Sequence, residues 1–174
     1  MQRATPPTVG DYLFEGCSKL ETIYVPVGAS EAYNVAPWNE YNIVEKEIII
    51  NPMLVDGLYY NVDVENNTAS VTSGTKYRGE IVIPASISVY GVDYSVTSIR
   101  DYAFYYCSSL TSIEIPNSVT EIGEASFYGC SGLTSIEIPN SVIEIGEASF
   151  YGCSGLTSIT MQRDTPPTVG DYLF

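Results

Sequence analysis

One feature limits the possible folds more than any other: three consecutive stretches repeat one another at a spacing of 23 residues. Residues 98–120 read SIRDYAFYYCSSLTSIEIPNSVT, 121–143 read EIGEASFYGCSGLTSIEIPNSVI, and the third begins at 144 with EIGEASFYGCSGLTSIT. Phe104, Phe127 and Phe150 share one phase, as do Cys107, Cys130 and Cys153, Leu110, Leu133 and Leu156, and Ile113, Ile136 and Ile159. A unit this small cannot bury its own apolar face, so neighbouring units must stack to make a core. Within a unit the alternation at Ile113 and Ile115 turns those side chains inward and leaves Ser112 and Glu114 outside. Pro116 ends the strand because it cannot donate to a ladder. The return leg supplies Val119, Ile122, Ala125, Phe127 and Cys130 to the interior, and Gly123 and Gly146 are expected at tight bends. The expected fold is a parallel-stranded, mainly β repeat solenoid.

The stretch from Ile122 to Val142 follows the pattern I-G-x-x-(A/S)-F-x-x-C-S-x-L-T-S-I-x-I-P-x-S-V. It resembles the BspA-like branch of the leucine-rich repeats, known from surface proteins of anaerobic bacteria and some protists. The resemblance covers 98–174 directly and, through one degenerate copy, residues 1–26. It implies a leucine-rich-repeat solenoid with a β-hairpin cap at the N-terminal end and a short-helix cap at the C-terminal end. It also implies an extracellular, cell-surface location and binding to host or bacterial surface proteins. A repeat scaffold carries many partners, so the fold is better specified than the function.

Residues 1–14, MQRATPPTVGDYLF, recur as 161–174 with only Ala4 against Asp164 different. Met161 takes the inward position of Ile138, so Met1 corresponds to an internal core position. After Phe14 the chain completes a half-repeat through Cys17, Leu20, Ile23, Tyr24, Val25 and Pro26. A shift of 160 residues would supply that half-repeat after Phe174. In 27–48, Ser30 suits the N-cap of a short helix through Glu31, Ala32, Tyr33 and Val35, stopped before Pro37, with Trp38 over the last rung. Residues 49–53 read as a linker. Residues 54–97 read as hairpins, one around Glu65-Asn66-Asn67 and one around Tyr90-Gly91, resembling the N-terminal cap. The expected order is therefore last repeat and C-terminal cap in 1–48, linker in 49–53, N-terminal cap in 54–97, and repeats in 98–174. This reads as one period of a tandem array. A fragment with arbitrary ends, or a circular permutant in which 15–48 folds back, are the alternatives.

Charge and residue type narrow the function. Seven basic against 21 acidic residues give a net charge of −14, which argues against a nucleic-acid partner. The absence of histidine removes His-based triads and His-ligated zinc. No run of eighteen apolar residues suggests a membrane span, and the start lacks a signal-peptide layout. The four cysteines share one phase, and stacked rungs at about 4.8 Å fit a disulfide's closer Cβ separation of about 3.8 Å poorly. All four are expected as buried thiols, without metal or other cofactor. Glu114 and Glu137, Glu121 and Glu144, and Glu124 and Glu147 should stack as solvated columns, or as a cation- or partner-binding strip. No nucleophile has a base beside it, so no enzyme is expected. Tyr24, Tyr102, Tyr105, Tyr106, Tyr128 and Tyr151 either form an aromatic contact surface or cover the core edge. Candidate partner-binding residues are Ser112, Glu114, Ser135, Glu137, Ser158, Thr160 and Tyr24. Candidate end-to-end contacts, for a head-to-tail filament or tandem array, are Leu20, Ile23, Val25, Trp38, Phe150, Leu156, Ile159, Met161 and Phe174. A monomeric adhesin reading through the strand face stands beside the array.

Overall fold

The computed structural model describes residues 14–25, 29–45, 51–74 and 76–174. The expectations about Met1, residues 1–13, Pro26 and the linker positions 49 and 50 lie outside the described residues. The chain divides into two units, Met1–Ile50 and Asn51–Phe174.

In the first unit, Phe14 opens a turn in which the Cys17 N–H donates to the Phe14 carbonyl (3.0 Å) and the Leu20 N–H to the Cys17 carbonyl (2.9 Å). Strand β1 (Thr22–Val25) follows and pairs in parallel with β2 (Asn42–Glu45). Trp38 is buried and meets Phe14 edge-on at 5.6 Å and Tyr33 at 5.4 Å, with Phe14 also 5.0 Å from Tyr41. The helix expected from Ser30 does not form. Its place is taken by a hydrogen-bonded turn, in which Tyr33 N–H reaches the Ala29 and Ser30 carbonyls, and by a 3-10 turn at Trp38–Glu40. A segment that must stop before Pro37 is too short to offset the cost of helix nucleation. Ser30 does not act as a side-chain cap there; its backbone N–H donates to Glu45 Oε1 at 3.0 Å.

The second unit begins with an antiparallel meander of β3 (Met53–Val55), β4 (Leu58–Asp63) and β5 (Thr68–Thr72). Leu58, Tyr60 and Val62 alternate inward as a strand with one covered face requires. Asp63 holds the turn by accepting the Glu65 and Asn66 N–H groups. Two positions assigned to the linker are tied to this sheet: Met53 lies in β3, and the Asn51 side-chain amide exchanges two hydrogen bonds with the backbone of Val62.

Next come β6 (Gly79–Val82), β7 (Ser86–Val89) and β8 (Val92–Ile99). β7 and β8 form a hairpin whose turn residues Tyr90 and Gly91 both have positive φ, as a tight two-residue turn demands. β6 is not part of that hairpin. It pairs in parallel with β9 (Leu110–Glu114), Ile81 opposite Ile113, because Ile81-x-Ile83-Pro84 copies Ile113-x-Ile115-Pro116. Stacked rungs therefore begin before residue 98.

From there the chain winds through β10 (Glu121–Ile122), β11 (Ser135–Ile138), β12 (Glu144–Ile145), β13 (Ser158–Met161) and β14 (Thr168–Val169). One side is the parallel series β8, β10, β12, β14, continued by the meander through β5. Another side carries the parallel pairs β6–β9 and β11–β13. On the third side each rung donates backbone N–H groups to the next, as from Ala125, Phe127 and Gly129 to the carbonyls of Glu147, Ser149 and Tyr151. Ile138 stands opposite Met161, the equivalence expected. The last step is one residue longer, since Ile145 pairs with Val169. Among the described residues there is no α-helix.

A phenylalanine ladder fills the centre. Phe104 and Phe127 stack at 5.1 Å and 2°, Phe127 and Phe150 at 5.3 Å and 3°. Tyr77 closes one end at 5.0 Å from Phe104, its hydroxyl accepting from Tyr59 N–H and donating to the Thr72 carbonyl. At the other end Phe174 stacks on Phe150 at 6.3 Å and remains 67% exposed. The role expected of Gly123 and Gly146 changes: neither has positive φ, and what they permit is close approach. A Cβ on Gly123 would stand 2.5 Å from the Asp101 nitrogen, and one on Gly146 2.5 Å from the Glu124 nitrogen. Positive φ falls instead on two other phases, Tyr102, Ala125, Ala148 and Tyr172, and Tyr106, Gly129 and Gly152.

Candidate binding surfaces

The strand face carries the outward residues of β9, β11 and β13. Glu114, Ser135, Glu137, Ser158 and Thr160 are exposed, and Ser112 is half-buried. Glu137 faces Thr160 across β11–β13, and the Gln162 amide donates to its carboxylate. Beside them lies a shallow groove of about 290 Å³, lined among others by Glu114, Ile115, Pro116, Glu137, Pro139 and Gln162. Its lining mixes isoleucine and proline side chains with the two carboxylates and the Gln162 amide. Tyr24 is exposed on β1 in the other unit.

The end-to-end candidates divide by burial. Val25, Trp38 and Phe150 are buried within their own units. Leu20, Ile23, Leu156 and Ile159 are half-buried, while Met161 and Phe174 are exposed. Their equivalents one rung earlier, Leu133, Ile136 and Ile138, are buried. The apolar surface around β13 thus has the composition of a core and the exposure of an edge.

The cysteine column holds for three of its four members. Cys107, Cys130 and Cys153 are buried free thiols, and the Cys130 and Cys153 sulfurs point at the carbonyls of Phe104 and Phe127, at 3.1 and 3.0 Å. Burial raises the Cys107 pKa, and the Cys153 thiol together with burial drives Cys130 far up. The Cys153 thiol is shifted the other way, its charged form favoured by the neighbouring Cys130 thiol against the opposing effect of burial. Cys17 departs from the expectation: it is exposed. Its turn is built as in the repeats, but no described residue of its unit forms a preceding rung over it.

The turn side carries a feature that phase arithmetic would have found. Asp101, Glu124, Glu147 and Asp171 occupy one repeat position, each just before a residue of positive φ. Asp101 Oδ1 accepts the Glu124 N–H at 2.8 Å, which ties the first two members of the column together. Beside it runs an aromatic ladder. Tyr105 and Tyr128 lie at 5.2 Å, Tyr128 and Tyr151 at 5.2 Å, and Tyr106 leans on Tyr105 at 4.7 Å. Tyr102 joins the two columns, donating its hydroxyl to Glu124 Oε1 at 2.5 Å and meeting Tyr105 edge-on at 5.4 Å. That bond to a carboxylate raises the Tyr102 pKa. These tyrosines therefore form one contiguous surface.

Among the described residues no group of three or more His, Cys, Asp or Glu could hold a metal ion, and no helix is long and apolar enough to cross a membrane.

The pattern of the BspA type Leucine rich repeat region matches residues 85–174 in six copies. Among solved structures the chain is similar to a leucine-rich repeat protein from Bacteroides ovatus, with 35% identity over 68% of this chain and 31% of that one, at a TM-score of 0.60. It is also similar to a leucine rich cell surface protein from Faecalibacterium prausnitzii, with 34% identity over 66% of this chain and 33% of that one, at 0.55. A third is the Leucine Rich Repeat protein of T. pallidum, with 26% identity over 69% of this chain and 54% of that one, also at 0.55. The chain thus spans about a third of the length of the first two and about half of the third. No curated protein matches it. With just over half of its residues inside the repeat pattern, and with rungs stacked as that pattern requires, the chain belongs to the BspA-type leucine-rich repeat family.

Proposed function

We propose that this chain is a non-enzymatic, surface-located repeat module whose units join end to end, as separate chains or as one tandem polypeptide. Surface location is supported by the likeness to a bacterial cell surface protein. The observation that carries the array is the mismatch between composition and exposure at β13, where Met161 is 40% exposed and Leu156 and Ile159 half-buried. The near-identity of 161–174 with 1–14 makes Thr22–Val25 the strand that follows Ser158–Met161 in the repeat frame, with Ile23 after Ile159 and Val25 after Met161. A strand edge with apolar side chains beside it recruits another edge. A head-to-tail contact of this kind does not close on itself and gives fibres. In this arrangement the meander of β3, β4 and β5 serves as the N-terminal cap ahead of the stacked rungs, and 15–48 completes the preceding unit's repeats.

Sedimentation of the chain across a wide concentration range, with electron micrographs at the upper end, tests this. The array predicts rods that lengthen with concentration and a Cys17 thiol that becomes protected as they form. Replacing Ile159 and Met161 by lysine should leave the chain folded and dispersed. A compact monomer at every concentration overturns the array. The groove beside Glu114 and Glu137 favours one second reading, a monomeric adhesin that binds a host or bacterial surface protein through its strand face.

A further inference from the structure

The outward face of the meander is polar, and it holds a guanidinium with nothing to pair with. Inward alternation of Leu58, Tyr60 and Val62 sends Asn61 and Asp63 to the other face, where Asn61 stands opposite Ser70 and Asp63 opposite Thr68. The Ser98 hydroxyl donates to the Ser70 hydroxyl at 2.9 Å on that same face. Asn61, Asp63, Thr68, Ser70 and Arg100 line an open groove of about 490 Å³ there. Among the described residues, the Arg100 guanidinium, the Asn61 amide and the Thr68 hydroxyl have no hydrogen-bond or ion-pair partner. Ser70, which accepts from Ser98, keeps its own hydroxyl proton to donate. We propose that this groove binds an acidic saccharide, its carboxylate held by Arg100 and its ring hydroxyls by Asn61, Thr68 and Ser70.

The set of donors and acceptors selects this ligand. A guanidinium matches a carboxylate through two parallel hydrogen bonds. The chain has 21 acidic residues, yet those nearest Arg100 are engaged elsewhere. Asp63 gives one oxygen to the Glu65 and Asn66 N–H groups and the other to the Asn66 amide, while Asp101 accepts the Glu124 N–H. Asp63 also stands at the far end of the groove. It lies opposite Thr68, whereas the Arg100 N–H bonds the Val71 carbonyl, three residues or about 10 Å further along β5. Between these ends come an amide and two hydroxyls, which can exchange hydrogen bonds with successive sugar hydroxyls. A net charge of −14 repels an anion more strongly the more charge it carries, which favours a single carboxylate over a sulfate- or phosphate-dense polymer. The face is stiff, because β4 is paired on both edges and the Asn51 amide clamps Val62, so little ordering is required on binding. None of these residues belongs to β13 or lines the strand-face groove, so the proposal is independent of both readings above.

The test is an NMR titration of the whole chain with an aldobiuronic acid, one glucuronate joined to one neutral sugar, and with its carboxyl-reduced counterpart. Backbone shifts, and those of the Asn61 amide, should concentrate on residues 61–63, 68–70 and 98–100, with a Kd of about 1 mM or tighter. The reduced sugar should bind at least about tenfold more weakly. Arg100→Gln, at an exposed position, should weaken binding of the acid by a similar factor. Arg100→Lys should cost less, since it keeps the charge and loses only the fork. Arg78→Gln makes the same charge change outside the groove and should cost less than about twofold. Equal weakening by Arg78→Gln and Arg100→Gln means a response to net charge alone and overturns the proposal. Equal binding of the reduced sugar overturns the pairing with Arg100. Stronger shifts of these residues with a capped tri-glutamate peptide overturn it in favour of an acidic peptide, and no shifts at about 10 mM of the acid overturn it outright.

Discussion

The rung that starts at Phe14 and the rung that starts at Phe127 share a motif and differ in what surrounds them. Both have Phe, Cys and Leu at the same spacing and a glycine of positive φ between the first two, Gly16 at +83° and Gly129 at +70°. Both close the turn with the same hydrogen bonds, from Cys to Phe and from Leu to Cys. Yet Cys130 and Leu133 are fully buried, while Cys17 is exposed and Leu20 half-buried. The local sequence writes the turn, and the stacked neighbour supplies the core. That is the behaviour of a repeat array, whose stability is a sum of unit and interface contributions.

The comparison breaks first at the phenylalanines. Phe127 lies between Phe104 and Phe150 with no exposure. Phe127→Ala should cost the second unit about 3–5 kcal/mol, the usual range for emptying a core aromatic site. Phe14 is half-buried, packed on Trp38 and Tyr41, and Phe14→Ala should cost no more than about half of that. Chemical denaturation of both variants would check it, and equal losses would mean that Phe14 also sits in a stacked core.

The glycines sharpen the contrast. Gly16→Ala meets no atom within 4 Å and carries only the backbone penalty of positive φ, about 1–2 kcal/mol. Gly129→Ala adds a collision with the Tyr106 ring and should be the more destabilising of the two. If thermal unfolding ranks them the other way, the second unit's rungs can part to admit a methyl group.

Much of this architecture was legible in the period, because apolar residues at a fixed phase can be buried only by stacking. The strands, the two hairpin turns and the register that sets Met161 opposite Ile138 follow from alternation and turn chemistry. What the period did not reveal depends on neighbours. Cys17 has the phase of a core thiol but no described rung before it. Gly123 and Gly146 looked like bend residues, whereas they keep a Cβ from the preceding rung's backbone. The helix expected at Ser30 lost to a turn and the 3-10 segment at Trp38–Glu40, and β6 concealed a repeat strand under a degenerate sequence. On the binding surfaces, the tyrosines were visible as a set, but their contact with the carboxylate column was not. That contact runs through Tyr102, which breaks the repeat at the Ala125 and Ala148 position.

A smaller effect separates the units electrostatically. Glu121 and Glu144 face each other in register on β10 and β12, whereas no two carboxylates face each other across β1–β2. Raising salt from low to moderate concentration should lift the second unit's melting temperature by no more than about 2 °C. Glu144→Gln should remove much of the response. A flat salt profile would mean that the facing carboxylates repel too weakly to register.

The dependence of burial on a stacked neighbour is tested most directly by native-state alkylation of the dilute, dispersed chain, with each cysteine followed by peptide mass. The account predicts one thiol, Cys17, labelled nearly as fast as in the unfolded chain. It predicts Cys107, Cys130 and Cys153 labelled at least about 100-fold more slowly, since each must wait for its rungs to open. Rapid labelling of any of those three, or protection of Cys17 in the dispersed chain, would contradict it.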